Sequence, residues 1–356
     1  MRIRLQAPGW DRDLAVEAGD APAPSGRQVT VAIEACGVCH RDLIDRAGRF
    51  PFMQVPITPG HEAVGRITAV GPDVTLWRVG DRVASMHRDS CGACPACEAG
   101  ETSLCLRAAA VLGLLVDGGY ATTMTVPERA LYRVPDDLDA AQAAVLHCTF
   151  GTAYRGLTRG GRLAPGMRVL VTGGNGGVGA AAIQIATRLG ATVIAQVRRA
   201  DHVAMVEGLG ATAVIVDADG RFHKRLPGGL VDVALDCVGA PTFNAALRSL
   251  NVGGRMVAIG NVVEERVELN LGWIITRGVQ ITGSSGATAE EMAAVVALHA
   301  ARPFALPIHA RLPLTDADRA QRLVAAGNLA GRIVLVPGLA AADAPAGAAP
   351  EPGARP

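Results

Sequence analysis

The spacing of apolar and polar residues changes near residue 165, and the change divides the chain in two. Up to about residue 149, apolar residues come in short β-branched runs broken by glycine and proline, as in "RQVTVAIEACG", "GHEAVGRITAVGPDV", "VGDRVASM" and "YATTMTVPERALYRVP". Such runs predict small strands joined by turns, an all-β domain with inserted loops. From about 165 an apolar strand is repeatedly followed by a helical stretch: "MRVLVTGG" then "GGVGAAAIQIATRLG", "ATVIAQVRR" then "ADHVAMVEGLG", then "TAVIVD". Next come "LVDVALDCVG", a short helix near "PTFNAALRSL", "GRMVAIGN" and "GVQITGSS". Near-continuous apolar strands alternating with helices predict an α/β fold built on a doubly wound parallel sheet. After Thr288 a helical stretch, "AEEMAAVVALHAA", leads to a last strand, "GRIVLVP", expected to return to the first domain. The domains are thus 1–149 completed by 288–338, and 150–287. The tail 339–356, poor in large apolar residues and rich in Ala-Pro and Gly-Pro steps, is expected to be disordered.

Composition agrees with two domains, since 356 residues exceed the size at which one core stops growing. Lys plus Arg number 34 against 33 Asp plus Glu, a balance that favours neither nucleic acid nor an anionic membrane. The N-terminus "MRIRLQAPGWDRD" lacks the apolar core of a signal peptide, and the run "AAAVLGLLV" falls far short of the roughly 20 residues that span a bilayer. A soluble cytoplasmic protein acting on a small molecule is expected. In that setting eight cysteines predict reduced thiols or metal ligands before disulfides.

Gly174, Gly176 and Gly179 in "GGNGGVG" follow the strand "RVLVT" directly and open a helix. That context turns a weak G-x-G-x-x-G match into a dinucleotide signature: glycines without side chains, Gly177 among them, let the backbone approach a pyrophosphate at a helix N-terminus, with Val178 in the same turn. At the end of the second strand, where an NAD enzyme places an acid for the ribose 2′-hydroxyl, stands Val197, followed by Arg198 and Arg199. An arginine pair without a carboxylate suits a 2′-phosphate, so NADP(H) is favoured over NAD(H).

Cys91, Cys94, Cys97 and Cys105 form a C-x2-C-x2-C-x7-C array, four thiolates that can close a tetrahedron around a structural zinc. Cys39 in "CGVCHRD", His61 and Glu62 in "PGHEAVG", and Cys148 in "CTFGTAY" could form a second, open zinc site. Cys36 and Cys237 read as core residues.

In this ordered series, together with "GDRV", "GGYA" and "GGRMVAIG", the sequence resembles the zinc-containing medium-chain dehydrogenase/reductase family, alcohol dehydrogenase type, over nearly all of the chain except its tail. The resemblance implies a GroES-like β-domain carrying both zincs and a Rossmann domain carrying the cofactor, in a homodimer or homotetramer. It makes Cys39, His61 and Cys148 the catalytic zinc ligands, with Glu62 a fourth ligand when substrate is absent. Asp42 becomes the acceptor that orients His61, its alternative role being a turn carboxylate that caps backbone N–H groups. His40 and Arg332 become candidates for the cofactor pyrophosphate, and Thr152 and Val178 neighbours of the nicotinamide.

One departure stands out. Where alcohol dehydrogenases carry Ser or Thr two residues after the zinc cysteine, to lead the alcohol proton away, this chain has Arg41, and Ile44 replaces the outer histidine of that relay. Stretches such as "CHRDLIDRAGRFP" and "LNLGWIITRGVQITGSSGAT" resemble acryloyl-CoA reductases, which reduce an activated C=C bond. Hydride transfer between NADP(H) and an alcohol, aldehyde or ketone is the first expectation. Reduction of an enoyl thioester or enal, in which Arg41 meets an anionic group, is the alternative, and a catalytically silent NADPH-binding sensor the second. Phe50, Phe52 and Trp273 are candidate pocket residues.

Overall fold

The computed structural model describes residues 1–262, 265–327, 329 and 331–340. The expected disorder of the tail therefore falls, beyond residue 340, outside the described residues. The chain divides into two compact units, one formed by Met1–Cys148, Thr288–Val296 and the chain from Leu306 on, the other by Thr149–Ala287 and Ala297–Ala305. No helix of the described residues is long and apolar enough to cross a membrane.

The first unit is a sheet in the order Ile308–Pro313, Arg332–Val336, Gln28–Val38, Glu62–Val70, Arg82–Ser85, Leu131–Arg133, with Thr123–Pro127 also paired to Gln28–Val38. Gln28–Val38 is its spine. Its residues alternate between buried and half-buried for most of its length and are buried continuously at its end, because Val29, Val31 and Ile33 face the core. The returning strand Arg332–Val336 pairs antiparallel with it, as the sequence predicts for "GRIVLVP", and parallel with Ile308–Pro313.

The second unit is an all-parallel sheet in the order Ala213–Val216, Thr192–Val197, Arg168–Val171, Val231–Asp236, Leu250–Ala258, Gln280–Gly283. Counted within the unit this is 3-2-1-4-5-6, the dinucleotide-binding order with its crevice between the first and fourth strands. The stretch 297–305 lies in this unit and not, as the sequence suggests, in the first. Phe304 packs on Phe150 at 4.3 Å and under Arg188 at 3.7 Å, and Gln184 bonds Ala305 through both of its amide atoms at 2.8 Å.

Helices absent from the sequence reading include three near the site and the second unit's sheet. His40–Arg46 and Leu271–Arg277 are single short helices, and Ala140–Leu146 continues through π-helical turns at His147–Gly151 and Gly156–Gly160. Glycines at 151, 156, 160 and 161 argue against a helix by propensity. Three of them allow close approach, since a Cβ on Gly156 would strike Ile259 and Leu235, one on Gly160 would crowd Val257, and one on Gly161 would strike Val233.

The helix His40–Arg46 is anchored by Arg46, whose side chain is fully buried. Its guanidinium donates to the carbonyls of Gly9 at 3.2 Å and Arg12 at 2.6 Å and to Gln321 at 3.2 Å, pairs with Asp318 at 2.7 Å, and lies 4.2 Å from the Trp10 ring. Replacing it with methionine keeps the volume and takes the donor from the Gly9 and Arg12 carbonyls and from Gln321, while Asp318 keeps Arg322. Arg46→Met is expected to destabilise the first unit by about 3 kcal/mol, read as a lower urea midpoint.

Candidate functional site

Antiparallel pairing of Gln28–Val38 with Glu62–Val70 sets Gly37 opposite Glu62. The strand ends then place Cys39, just beyond one, beside His61, just before the other. Arg332–Val336 sets Ile333 opposite Val38, which brings Arg332 to the same end. Three strand termini thus converge on one point, and the π-helical turn at His147–Gly151 brings Cys148 to it.

Donor atoms of Cys39, His61, Glu62 and Cys148 all lie within 4.8 Å of one another. Cys39 Sγ to Cys148 Sγ is 3.7 Å, Cys148 Sγ to His61 Nε2 is 3.7 Å, and His61 Nε2 to Glu62 Oε1 is 4.0 Å. Ligands about 2.3 Å from a shared tetrahedral centre stand ~3.8 Å apart, so the set fits zinc. The thiols share a hydrogen bond that draws Cys39 well below and pushes Cys148 well above the ordinary value. Burial pushes Glu62 up to about 7 against the pull of Arg332, whose guanidinium donates to Oε1, while Oε2 is buried with no hydrogen-bond partner. It is Oε1 that lies toward His61 Nε2, so two sulfurs, an imidazole and that oxygen make a donor set that suits a cation.

Asp42 performs both roles open to it. Its Oδ2 accepts the Cys39 N–H at 2.9 Å, closing a capping box on the helix His40–Arg46, and its Oδ1 lies 3.2 Å from His61 Nδ1. A carboxylate there keeps the proton on Nδ1 and turns the Nε2 lone pair toward the sulfurs. Arg41 is held in place, its Nε on Asp45 at 3.0 Å and its Nη2 on the Leu112 carbonyl at 2.6 Å. Burial pushes Asp45 up to about 6, against Arg41. His40 is half-buried at the helix start, and Ile44 is half-buried. Arg332 is largely buried against Glu62 and is not a solvated surface charge.

Three residues escape sequence reasoning. Gly37 makes room for Glu62, whose Oε2 a Cβ there would meet, and Tyr120 donates to Asp42 Oδ2 at 2.9 Å. His87 lies 5.5 Å, ring to ring, from His147, the neighbour of Cys148, and burial with the charges of His147 and Arg41 holds its imidazole well below its ordinary value. All three are contacts in space with no local signature, although "GGYA" marks the place of Tyr120.

The second cluster is Cys91, Cys94, Cys97 and Cys105. Cys91 and Cys97 sulfurs stand 4.0 Å apart, Cys94 and Cys105 sulfurs 3.9 Å. Backbone N–H groups point at them: Cys91 and Arg107 donate to Cys105 Sγ at 3.3 and 3.4 Å, and Ala93 to Cys91 Sγ at 3.5 Å. Such bonds stabilise thiolates, and four of them leave no open position for a substrate.

In the second unit the loop at 173–179 joins Arg168–Val171 to the helix Gly177–Arg188. Gly179 is required, because a Cβ would run into the carbonyl of Gly173. Gly174 packs among Ala195, Ile183 and Val206. Gly176 is exposed, Gly177 and Val178 half-buried, and Thr152 is buried on the helix Thr152–Arg155. Val197 ends its strand, and Arg198 and Arg199 after it are exposed. The expectation that no carboxylate attends this pair needs correction. Arg199 grips Asp201 through Nε at 3.0 Å and Nη2 at 2.6 Å, two residues on in the turn, which leaves Arg198 as the cation without a carboxylate partner among the described residues. Of the pocket candidates, Phe50 and Phe52 face each other at 5.5 Å in the first unit, and Trp273 packs on the core of the second beside Arg277.

The two cysteine clusters are independent in space. Cys39→Ser and Cys94→Ser are each expected to lower zinc from two ions per chain to one, and only Cys94→Ser is expected to open the 91–105 loop to protease. Metal analysis and limited proteolysis check this.

The chain matches the family model for the alcohol dehydrogenase GroES-like domain over residues 25–136 and that for zinc-binding dehydrogenase over 177–301. It is 31% identical to the acryloyl-coenzyme A reductase of Sulfurisphaera tokodaii over 94% of this chain and 99% of that one. With that of Metallosphaera sedula it shares 33% over 88% and 93%. Among solved structures, AibC matches with a TM-score of 0.90 at 37% identity, covering 95% of this chain and 96% of that one. With its two cysteine-bearing clusters set in a GroES-like unit and its parallel sheet in Rossmann order, the chain belongs to the zinc-containing medium-chain dehydrogenase/reductase family and is an oxidoreductase, similar to the acryloyl-CoA reductase and AibC branch.

Proposed function

We propose that the enzyme is an NADPH-dependent reductase of an activated C=C bond, with an enoyl thioester of the acryloyl-CoA kind as substrate. The observation that carries this reading is Arg41, a guanidinium pinned to Asp45 and Leu112 where alcohol dehydrogenases keep the hydroxyl that exports a proton. Arginine stays protonated and cannot accept that proton. The likeness to two acryloyl-CoA reductases over most of the chain supports the same choice, ahead of the alcohol, aldehyde or ketone chemistry first expected.

In the reaction, hydride from NADPH joins the β-carbon, a solvent-derived proton joins the α-carbon, and a saturated thioester and NADP⁺ leave. Cys39, His61 and Cys148 would hold the catalytic zinc, with Asp42 orienting His61 and Glu62 within reach as a fourth ligand. A zinc there supplies Lewis-acid polarisation of the thioester oxygen. Gly174, Gly176, Gly177 and Gly179 let the pyrophosphate approach the helix N-terminus, Arg198 meets the 2′-phosphate with Arg199 in support, and Thr152 and Val178 adjoin the nicotinamide.

Carbonyl reduction stands as the second reading, favoured by the complete open donor set. An α,β-unsaturated aldehyde separates the two: saturated aldehyde as product supports C=C reduction, allylic alcohol supports the carbonyl reading. With crotonyl- or acryloyl-CoA, NADPH oxidation with formation of the saturated thioester is expected, and no turnover of any enoyl thioester sinks the proposal. Arg198→Ala is expected to raise the KM for NADPH about tenfold and to change that for NADH by less than about twofold, in steady-state kinetics.

A further inference from the structure

The motif "GGYA" has no part in the chemistry above, yet its tyrosine touches both arms of the metal site. Tyr120 is fully buried. Its hydroxyl donates to Asp42 Oδ2 at 2.9 Å, the oxygen that also accepts the Cys39 N–H at 2.9 Å, while the other carboxylate oxygen faces His61 Nδ1 at 3.2 Å. Burial and the Asp42 charge push the phenol well above its ordinary value, so it stays a donor. The segment that carries it is strapped to the residues ahead of His61: Gly118 N–H donates to Thr58 at 2.7 Å, Gly119 N–H to Gly60 at 2.9 Å and Tyr120 N–H to Pro59 at 2.9 Å. Gly60, next to His61, has φ +95°, and a Cβ on it would strike the Tyr120 ring. The ring therefore lies on the backbone that delivers one ligand, and the hydroxyl holds the carboxylate tied to the other.

We propose that Tyr120 is a positioning residue of the metal centre, its hydroxyl fixing the rotation of Asp42 so that Oδ1 faces His61, and its ring setting the backbone from which His61 projects. The inference rests on reading Cys39, His61 and Cys148 as a metal site. A buried carboxylate with three donors has one orientation. With the hydroxyl removed, Oδ2 keeps only a backbone N–H on the cap, the carboxylate can turn about its last bond, and the imidazole loses its fixed tilt.

Tyr120→Phe tests this, because the phenyl ring fills the same space and keeps the contact with Gly60. Zinc at the Cys91–Cys105 cluster serves as an internal reference for folding. The expected result is a dissociation constant for the Cys39–His61–Cys148 ion raised about tenfold in chelator competition, with the reference ion retained. The visible spectrum of the cobalt-substituted protein is expected to shift. On an Asp42→Asn background the same change should add less than about twofold, since the hydroxyl acts through the carboxylate. Equal affinity in Tyr120→Phe and wild type, or full additivity with Asp42→Asn, overturns the inference and leaves the metal reading intact. Wild-type protein that binds only the reference ion overturns both.

Discussion

The antiparallel register between Gln28–Val38 and Glu62–Val70 is the constraint on which the site depends. Side chains in a strand alternate, so a slip of one residue would exchange the faces of both strands and carry Glu62 and the residues at the strand ends away from each other. The register is held by the buried row Val29, Val31, Ile33 on one strand and Ala63 and Ile67 on the other, all in one core cluster. Cys39 and His61, though 22 residues apart, are neighbours because of that pairing. Arg332, some 270 residues from Glu62, arrives by the same logic through the returning strand.

Convergence at one sheet end concentrates charge, and the local structure answers it group by group. Asp42, Glu62 and two thiols lie within a buried space that no anion would occupy alone. Arg332 neutralises Glu62 from one side, and the helix cap at Cys39 absorbs part of Asp42. What remains is two sulfurs, an imidazole and a carboxylate oxygen close enough to share one cation. The same reasoning applies to the Cys91–Cys105 loop, where backbone N–H groups take the place of arginine.

How much of this the sequence shows depends on the range of the interaction. The four-cysteine loop and the glycine loop after Val171 are legible because their ligands or turns sit within fifteen residues and the periodicity around them is local. The doubly wound sheet is legible for the same reason, strand and helix alternating along the chain. The Glu62–Arg332 pair as a pair, the room that Gly37 leaves, and Tyr120 against Asp42 are not, since each is made by tertiary packing between segments whose own composition is ordinary. The part of the helical run beyond Leu146 is hidden differently. Its glycines are poor helix formers, and the structure accepts that cost so that the helix can approach Leu235 and Val257 closely. Asp201 is hidden by its proximity, since two residues on from Arg199 it reads as part of the next helix and not as that arginine's partner.

Arg41 is where the geometry bears most directly on the choice of chemistry. Oxidising an alcohol on a metal needs a path by which the hydroxyl proton leaves, and the first atom of that path must be able to accept as well as donate. A hydroxyl does both, whereas a guanidinium donates only. Here two of its donors are already committed, to Asp45 and to the Leu112 carbonyl, so the group is a fixed positive charge beside His61 and His87. A fixed cation stabilises negative charge that appears during a reaction, as on an enolate oxygen or on a phosphate-bearing substrate, and it does so without moving a proton. Reduction of a conjugated thioester builds such charge and takes its proton at carbon. On the proposed reading, the arginine that would obstruct alcohol oxidation suits the reduction of a C=C bond.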